Sequence, residues 1–284
     1  MRTIDSITEM VEIRNQIKRP MALVPTMGAL HHGHISLIDK AKEENASVIV
    51  SIFINPTQFG PKEDFQSYPR ELESDLSILK SLDIDVVFMP NQDDMYPNGF
   101  ETWVEVRGIG DRLEGEQRPG HFRGVATVVT KLFAITRPDT AYFGQKDAQQ
   151  VVVIGKLNRD LNLGVDLKAL PTIREPDGLA MSTRNFYMEA HERQASSVIF
   201  RSLALAHDMY FKGYRNSNEI KDEIRTLIEE EPLARINYIS IAQIDTLEEI
   251  EHINNHALIS VAVNIGQTRL IDNITVGPAT KLLQ

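Results

Sequence analysis

Short apolar runs alternate with longer amphipathic segments through the first half of the chain, and this alternation limits the fold more than any other feature. The runs at residues 21–24, 47–54, 86–89 and 140–143 have the length and apolar content of buried strands. Strands that alternate with helices pair in parallel and are connected by crossover helices. We therefore predict an α/β fold with a Rossmann-like parallel sheet. The helices predicted before, between and after these strands span residues 6–19, 35–44, 69–82, 125–135 and 148–158.

The pattern changes after about residue 189, where helices are followed by strands. That order indicates a small α+β domain, because these helices no longer connect parallel strands. We predict a Rossmann-like domain over residues 1–176 and a smaller C-terminal α+β domain over residues 177–284, which serves as a lid. The predicted elements of the second domain are helices at 191–212 and 217–231 and strands at 236–244, 257–264 and 269–274.

Charge and composition limit the partners of the chain. The formal net charge of -10 repels nucleic acids and anionic membranes, so we expect small anionic substrates held in a cleft. The absence of cysteine excludes disulfides, thiolate metal sites and cysteine nucleophiles. The N-terminal segment mixes both charges, and the apolar stretch at residues 46–54 is too short to span a bilayer. We expect a soluble cytoplasmic protein that binds neither nucleic acid nor membrane.

The segment with the strongest chemical signal is PTMGALHHGH, residues 25–34, between the first predicted strand and a helix. Gly28 and Gly33 allow the backbone to approach a ligand, and a helix that starts near Gly33 directs amide donors at it. The imidazoles of His31 and His34 add donors that suit nucleotide phosphates. The alternative is a tight loop with surface histidines. A metal site is disfavoured, and no metal ligand is predicted, because no carboxylate or cysteine cluster is nearby.

The segment INPTQFG, residues 54–60, follows the second predicted strand. Asn55 and Gln58 carry neutral amides with donors and acceptors, which can hold a hydroxyl-bearing acid. In isolation the segment is typical of an ordinary turn closed by Gly60.

The segment FGQKDAQQ, residues 143–150, lies at another junction between a strand and a helix. Lys146 can place a cation on phosphates, Asp147 can cap the next helix, and Gln150 lies one turn into that helix. The alternative is a solvated turn in which lysine and aspartate face water.

The segment MSTRN, residues 181–185, combines hydroxyls with a planar cation near the predicted domain boundary. This combination is typical of an anion-binding loop that closes over a nucleotide, although a polar linker has the same composition.

The segment RPGHFRG, residues 118–124, is basic within an acidic chain. Arg118 or Arg123 can face a substrate anion, but an ion pair with the surplus acids is slightly favoured.

Taken in order, these segments resemble the pantothenate synthetase family of pantoate–β-alanine ligases, within the His-x-Gly-His nucleotidylyltransferase superfamily. The resemblance runs from about residue 21 to the C-terminus and is densest over residues 25–185. It implies an AMP-forming ligase of pantothenate and coenzyme A biosynthesis. Such an enzyme forms pantoyl adenylate from pantoate and ATP, releases pyrophosphate, and then transfers the pantoyl group to β-alanine with release of AMP. The resemblance also implies Mg²⁺ on the phosphates and a homodimer.

The resemblance assigns roles to particular residues. His34 is the implied proton donor, with His31 and Lys146 as further catalytic residues. Thr183 stands where the family often has serine, and His32 and Gln145 stand where it often has acidic residues. The implied ATP-binding residues are Met27, Gly28, Ala29, Leu30, His31, His32, Gly33, His34, Gly144, Gln145, Lys146, Asp147, Ile173, Met181, Ser182, Thr183 and Arg184. The implied substrate-binding residues are Gln58, Gln150, Asn55 and Arg118.

Three other functions share part of this pattern. A nucleotidylyltransferase moves AMP or CMP onto a phosphorylated acceptor and stops there, but a phosphorylated acceptor would call for more arginines than the neutral Gln58 and Gln150 provide. A regulatory module that binds ATP without chemistry explains the phosphate loops alone. An RNA-charging enzyme is disfavoured by the acidic net charge and by the lack of a basic anticodon-binding domain.

Overall fold

The computed structural model of the chain describes residues 1–61 and 63–278. These residues form two compact units, residues 1–144 with 149–170 and residues 145–148 with 171–278. A parallel sheet with helices and a smaller antiparallel sheet with helices are present, so the predicted fold class is confirmed. The division after residue 176 stays a prediction.

The first unit contains a six-stranded parallel sheet in the order β1-β4-β3-β2-β5-β6. The chain moves outward from β2 to β3 and β4, and then returns to place β5 on the other side of β2. Sheets of this kind bind ligands beyond the carboxyl ends of the strands where the order reverses, which here are β2 and β5. The strands are β1 (Arg2–Ile4), β2 (Met21–Thr26), β3 (Ser47–Ile52), β4 (Val86–Phe88), β5 (Thr140–Gly144) and β6 (Asp166–Leu170).

Helices follow the strands of this sheet, with short 3₁₀ turns between some of them. Ile38 and Leu79, from the second and third helices, are fully buried in one cluster with Val50 and Val87 of the sheet. The helices are α1 (Ile7–Ile13), α2 (His32–Glu44), α3 (Leu72–Ser81), α4 (Gln92–Met95), α5 (Glu114–Gln117), α6 (His121–Thr136) and α7 (Ala148–Asp160). The 3₁₀ turns are Pro56–Gln58, Ile109–Asp111 and Gln145–Asp147.

The second unit packs helices on a three-stranded antiparallel sheet in the order β7-β8-β9. Ile220, Ile224 and Ile228 recur every four residues on one helix and are buried with Ile241 and Ile259 of the sheet. Its elements are a 3₁₀ turn (Thr183–Tyr187), α8 (Ala190–Ala195), α9 (Ser197–Phe211), α10 (Ser217–Glu229), β7 (Ala234–Ala242), β8 (Ala257–Ile265) and β9 (Thr268–Val276). No helix in the described part of the chain is both long and apolar enough to cross a membrane.

Several predicted helices have different bounds in the structure. The segment predicted as one helix over residues 191–212 is two helices, because the buried Ser196 donates its hydroxyl to the carbonyl of Arg193 and ends the first. The predicted helix from residue 69 begins only at Leu72, since the Arg70 guanidinium donates to preceding carbonyls, including that of Tyr68, and holds that segment as a loop. The first helix ends at Ile13 rather than near residue 19.

The two edge strands of the parallel sheet, β1 and β6, were not predicted from the sequence. β1 is only three residues long, too short for a period to be recognised. β6 has partly exposed and polar residues because it lies at the edge of the sheet. Its pattern therefore lacks the apolar continuity by which the central strands were found.

Candidate active site

The loop after β2 is held in a tight left-handed path. Thr26 donates its hydroxyl to the carbonyl of Ser51 at 2.8 Å and accepts the amide of Gly28 at 3.2 Å. Gly28 and Ala29 both have positive φ, 81° and 49°. A Cβ atom at position 28 would lie 3.0 Å from an oxygen of Asp75 and would be strained at that φ. Glycine is therefore needed at position 28 for the loop to take this path.

A buried carboxylate from α3 holds the same loop. The two oxygens of Asp75 accept the amides of Ala29 at 2.8 Å and Leu30 at 2.7 Å. Burial raises the pKa of Asp75, and the two amide donors act in the opposite direction. The amides of Gly28, Ala29 and Leu30 are thus bonded within the chain. These three amides therefore do not point at a ligand.

The two predicted histidines close the N-terminus of α2. The amide of Gly33 donates to Nδ1 of His31 at 3.1 Å, and the amide of His31 donates to Nδ1 of His34 at 3.3 Å. The two rings stack with centroids 4.1 Å apart. Because both Nδ1 atoms accept hydrogen bonds, each neutral ring carries its proton on Nε2. The helix begins at His32, and these two side chains form its capping box.

The turn after β3 is organised around Asn55, whose side chain is only 1% exposed. Its Nδ2 donates to Oε1 of Gln58 at 3.0 Å and to the carbonyl of Gly124 at 3.2 Å. Its Oδ1 accepts the hydroxyl hydrogens of Thr57 and Tyr96, both at 2.9 Å. Both amide hydrogens and the oxygen of Asn55 are engaged, so this residue shapes the turn. The predicted substrate contact of Asn55 stays a prediction.

The amide group of Gln58 is placed by its neighbours. Asn55 donates to its Oε1, and its Nε2 lies 3.4 Å from the sulfur of Met27 in the loop after β2. The loops after β2 and β3 therefore meet at this side chain. Its backbone carbonyl accepts a hydrogen from Nδ1 of His121 at 2.8 Å and one from Arg118 at 3.4 Å.

The basic segment at residues 118–124, which runs into α6, contains the ion pair that the sequence slightly favoured. Arg118 forms a bidentate pair with Glu63 at 2.7 and 2.6 Å, rather than presenting an unpaired guanidinium to a substrate. Arg123 lies over the Trp103 ring, 5.0 Å from its centroid. Burial, together with the Arg118 charge, lowers the pKa of His121 to about 4. His121 is therefore neutral at physiological pH and donates through Nδ1 while Nε2 faces Arg118.

Two neighbouring glutamines at the start of α7 have different surroundings. Gln149 is buried, donates to the carbonyls of Ile109 and Arg112, and accepts the amide of Glu114. All of its polar groups are thus engaged with backbone, which makes it structural. Gln150 is half-buried. The contrast supports the choice of Gln150 over Gln149 as the substrate residue, although that role remains a prediction.

The predicted lysine lies in the 3₁₀ turn that follows β5, directly after Gly144. Lys146 has its Nζ 3.6 Å from Oδ1 of Asp147 and a side chain that is 20% exposed. Asp147 lies inside the turn that continues into α7 and pairs with this lysine. The position of Lys146 after β5 agrees with the reversal point of the strand order.

The two predicted ATP-binding segments of the second unit, at Ile173 and at residues 181–184, are adjacent. The amide of Met181 donates to the carbonyl of Ile173 at 3.0 Å, so these two predicted residues are paired. The Ser182 hydroxyl oxygen accepts the amide of Arg184 at 3.3 Å and caps the following turn. Thr183 is buried, with 5% exposure. The predicted ATP contact of Thr183 stays a prediction, as do those of Ser182 and Arg184.

Comparison with known proteins decides the family. The model described as pantoate-beta-alanine ligase matches residues 1–275. The chain belongs to the pantoate-beta-alanine ligase family. The pantothenate synthetase of Roseiflexus sp. (strain RS-1) is 52% identical over 273 residues, which cover 96% of this chain and 98% of that relative. The predicted resemblance is confirmed, and so is the prediction that this chain is an enzyme, a ligase of that family.

Solved structures of the pantoate-beta-alanine ligase family share the fold of the whole chain. The pantothenate synthetase of Thermus thermophilus matches with a TM-score of 0.94 and 40% identity, covering 98% of this chain and 100% of its own. The pantoate-beta-alanine ligase of Francisella tularensis matches with a TM-score of 0.80 and 41% identity, covering 96% and 97%. The latter protein was complexed with beta-gamma ATP and beta-alanine.

The bonds that Asp75 makes to the ligase's first loop generate a stability prediction. Asp75→Asn replaces one acceptor by an NH₂ group, so the amide of Ala29 or Leu30 is left buried without a partner. We expect the free energy of unfolding to fall by about 1–3 kcal/mol. Hydrogen exchange at these two amides should become faster. Asp39→Asn, on the exposed face of α2, is the control and should change stability by less than about 0.5 kcal/mol. Equal stability and unchanged exchange for both variants would show that Asp75 does not hold the loop.

The close packing of α6 on the turn after β3 generates a second prediction. A Cβ atom on Gly124 would lie 2.4 Å from the carbonyl oxygen of Thr57 and 2.7 Å from the amide nitrogen of Gln58. Gly124→Ala should therefore destabilise the chain by about 1–3 kcal/mol in chemical unfolding, although alanine normally favours a helix. Gly60→Ala is the matched control, because its Cβ would meet only ordinary contacts with Glu63 at 3.6 Å. If Gly124→Ala is as stable as Gly60→Ala, the turn is not packed as described.

Proposed function

We propose that this ligase condenses pantoate with β-alanine in an ATP-dependent reaction that proceeds through pantoyl adenylate and releases AMP and pyrophosphate. The product, pantothenate, belongs to coenzyme A biosynthesis. The observation that carries the proposal is the family match over residues 1–275, which includes every segment to which a substrate role is assigned. The Francisella tularensis relative complexed with beta-gamma ATP and beta-alanine adds support for ATP and β-alanine as substrates.

The first step joins the carboxylate of pantoate to ATP. A carboxylate oxygen attacks the α-phosphorus, and the bond from that phosphorus to the bridging oxygen breaks as pyrophosphate leaves. Negative charge on the transferring and leaving phosphates is met by Lys146 and by the Nε2–H groups of His31 and His34. The amides of Gly28, Ala29 and Leu30 bond within the chain, so this stabilisation does not come from those three amides.

The second step transfers the pantoyl group to β-alanine. The unprotonated amine attacks the acyl carbon of the mixed anhydride, and the bond from that carbon to the AMP oxygen breaks. Gln58 and Gln150 hold the hydroxyl-bearing acid through neutral amides. No residue of the chain becomes covalently attached, so positioning and electrostatics account for the rate.

The nucleotide is assigned to two groups of residues, one in each unit. In the first unit these are Met27, Gly28, Ala29, Leu30, His31, His32, Gly33, His34 and Gly144. In the second they are Gln145, Lys146, Asp147, Ile173, Met181, Ser182 and Arg184. Thr183 of the second unit belongs to the same nucleotide group, and Asn55 of the first unit is assigned to the substrate; both side chains are buried.

Mg²⁺ enters this proposal as part of the ATP substrate. Within residues 1–61 and 63–278, no three His, Asp or Glu side chains are grouped to hold a metal ion. Mg²⁺ is commonly held by substrate phosphates, waters and one or two carboxylates, so the residues present fit an ion that arrives on ATP. Its charge would help to neutralise the leaving pyrophosphate.

A homodimer in the cytoplasm is also part of the proposal. Both features were inferred from the family resemblance and the composition. Sedimentation of the purified chain at several concentrations tests the dimer, and a monomer throughout would remove it. Fractionation of cells that express the chain tests the location.

Product analysis with each substrate omitted in turn tests the reaction. We expect AMP, pyrophosphate and pantothenate only when ATP, pantoate and β-alanine are all present at saturating levels. Exchange of labelled pyrophosphate into ATP should require pantoate but not β-alanine. Transfer of AMP to a phosphorylated acceptor would instead favour a nucleotidylyltransferase. Binding of ATP without exchange would favour a regulatory module.

The predicted role of the lysine in the turn after β5 is tested by substitution. Lys146→Ala removes the cation assigned to the phosphates and should lower pantoate-dependent pyrophosphate exchange by about 10²–10³-fold. The fold should remain intact in circular dichroism, because Lys146 is partly exposed. Lys156→Ala is the control, since this lysine of α7 is also partly exposed and pairs with Asp160. Near-normal exchange by Lys146→Ala would remove this lysine from the mechanism.

A further inference from the structure

The turn that carries Lys146 is held by an asparagine from the distant end of the chain. Asn273 in β9 donates both Nδ2 hydrogens, to the carbonyl of Gln145 at 3.0 Å and to that of Lys146 at 2.9 Å. The side chain is 4% exposed. Because two carbonyls can be met only by donors, these contacts determine which end of the amide faces the turn.

The residue before this asparagine, Asp272, is itself held by an arginine. Asp272 is buried and accepts two bonds from the guanidinium of Arg174, at 2.6 and 3.0 Å. Asp272 also accepts the backbone amide of Asn273 at 2.8 Å. The guanidinium lies 4.5 Å from the ring centroid of Phe200 and donates to the carbonyl of Gly178. Asn273 therefore extends from a rigid point of the second unit.

The same anchor reaches the other predicted nucleotide segment. Arg174 follows Ile173, which is paired with Met181, and Arg174 itself forms a backbone bridge with Ala180. Through Arg174 and Asp272, the segment that carries Ile173 is joined to the strand that carries Asn273. One dipeptide of β9 thus supports both parts of the second unit to which nucleotide contacts are assigned.

We propose that Asn273 is a positioning residue for the ligase reaction, and that it sets the location of Lys146 by binding both carbonyls of its turn. The proposal rests on the proposed function of Lys146. It does not make Asn273 a catalytic residue, because its amide hydrogens are engaged with backbone rather than with substrate. A displacement of about 1 Å in a catalytic group can lower a rate about 100-fold, so the precision of this turn affects turnover.

Asn273→Leu tests the proposal, because leucine has a similar volume but cannot donate. We expect the kcat of pantoate-dependent pyrophosphate exchange to fall about 10- to 100-fold, while the KM for pantoate stays within about twofold of its original value. Hydrogen exchange in the peptide that contains residues 145–148 should become faster. Asn264→Ala is the matched control: a half-buried asparagine of the same sheet, which lies opposite Arg269 on the neighbouring strand.

The outcomes separate this proposal from the proposed function. If the unaltered chain shows no exchange of pyrophosphate, the proposed function fails, whereas hydrogen exchange still reports whether Asn273 holds the turn. If Asn273→Leu matches Asn264→Ala in kcat and in hydrogen exchange, the positioning role is overturned. Equal losses of kcat in both variants would also overturn it, since they would indicate general damage to the sheet. Should Asn273→Leu fail to fold, Asn273→Ala removes the same donors and is compared with Asn264→Ala: a fall in kcat for Asn273→Ala alone supports the positioning role, and equal kcat values overturn it.

Discussion

The buried carboxylate of Asp75 determines the path of the loop on which the first half of the site depends. By accepting the amides of Ala29 and Leu30, it holds a left-handed stretch of backbone directly after the central strand β2. That path brings the chain to His31, where α2 begins. A carboxylate buried with two amide donors resists movement, because separating them would leave buried polar groups without partners. The imidazoles are therefore presented from a loop in which the amides of Gly28, Ala29 and Leu30 are already engaged.

The same division of roles recurs elsewhere: one polar residue holds the backbone, and a neighbouring residue is assigned to the substrate. Asn55 uses its whole amide to shape the turn that carries Gln58. Gln149 is bonded to backbone, whereas the adjacent Gln150 is half-buried. Asn273 holds the turn of Lys146 by the same means. Amides whose hydrogens are all engaged make good supports, because each of these bonds specifies one geometry.

The sequence predicts much of this fold because the central strands and their helices have strong periods. Apolar runs predict the strands β2, β3 and β5. The segments that follow these strands contain His34, Gln58 and Lys146, which are assigned to contacts with the substrates. The edge strands lacked such runs. The family resemblance supplied the roles of individual residues, which residue type and spacing alone had left open against ordinary turns and linkers.

The supporting residues could not be predicted in this way, because their function depends on contacts between distant parts of the chain. Asp75 lies 46 positions after Ala29, and Asn273 lies 127 positions after Lys146. An aspartate in a helix and an asparagine in a strand carry no local signal of such a role. The burial of Asn55 and its bond to the carbonyl of Gly124 are likewise visible only in three dimensions.

The central claim is that side chains meet the phosphates while the amides of Ala29 and Leu30 remain bonded to Asp75. The most direct test is a crystal structure of this ligase with a non-hydrolysable ATP analogue and pantoate. The account predicts that Asp75 still accepts the amides of Ala29 and Leu30, with a phosphate oxygen within about 3.2 Å of Nε2 of His34. A structure in which these two amides leave Asp75 and donate to phosphate oxygens would contradict it.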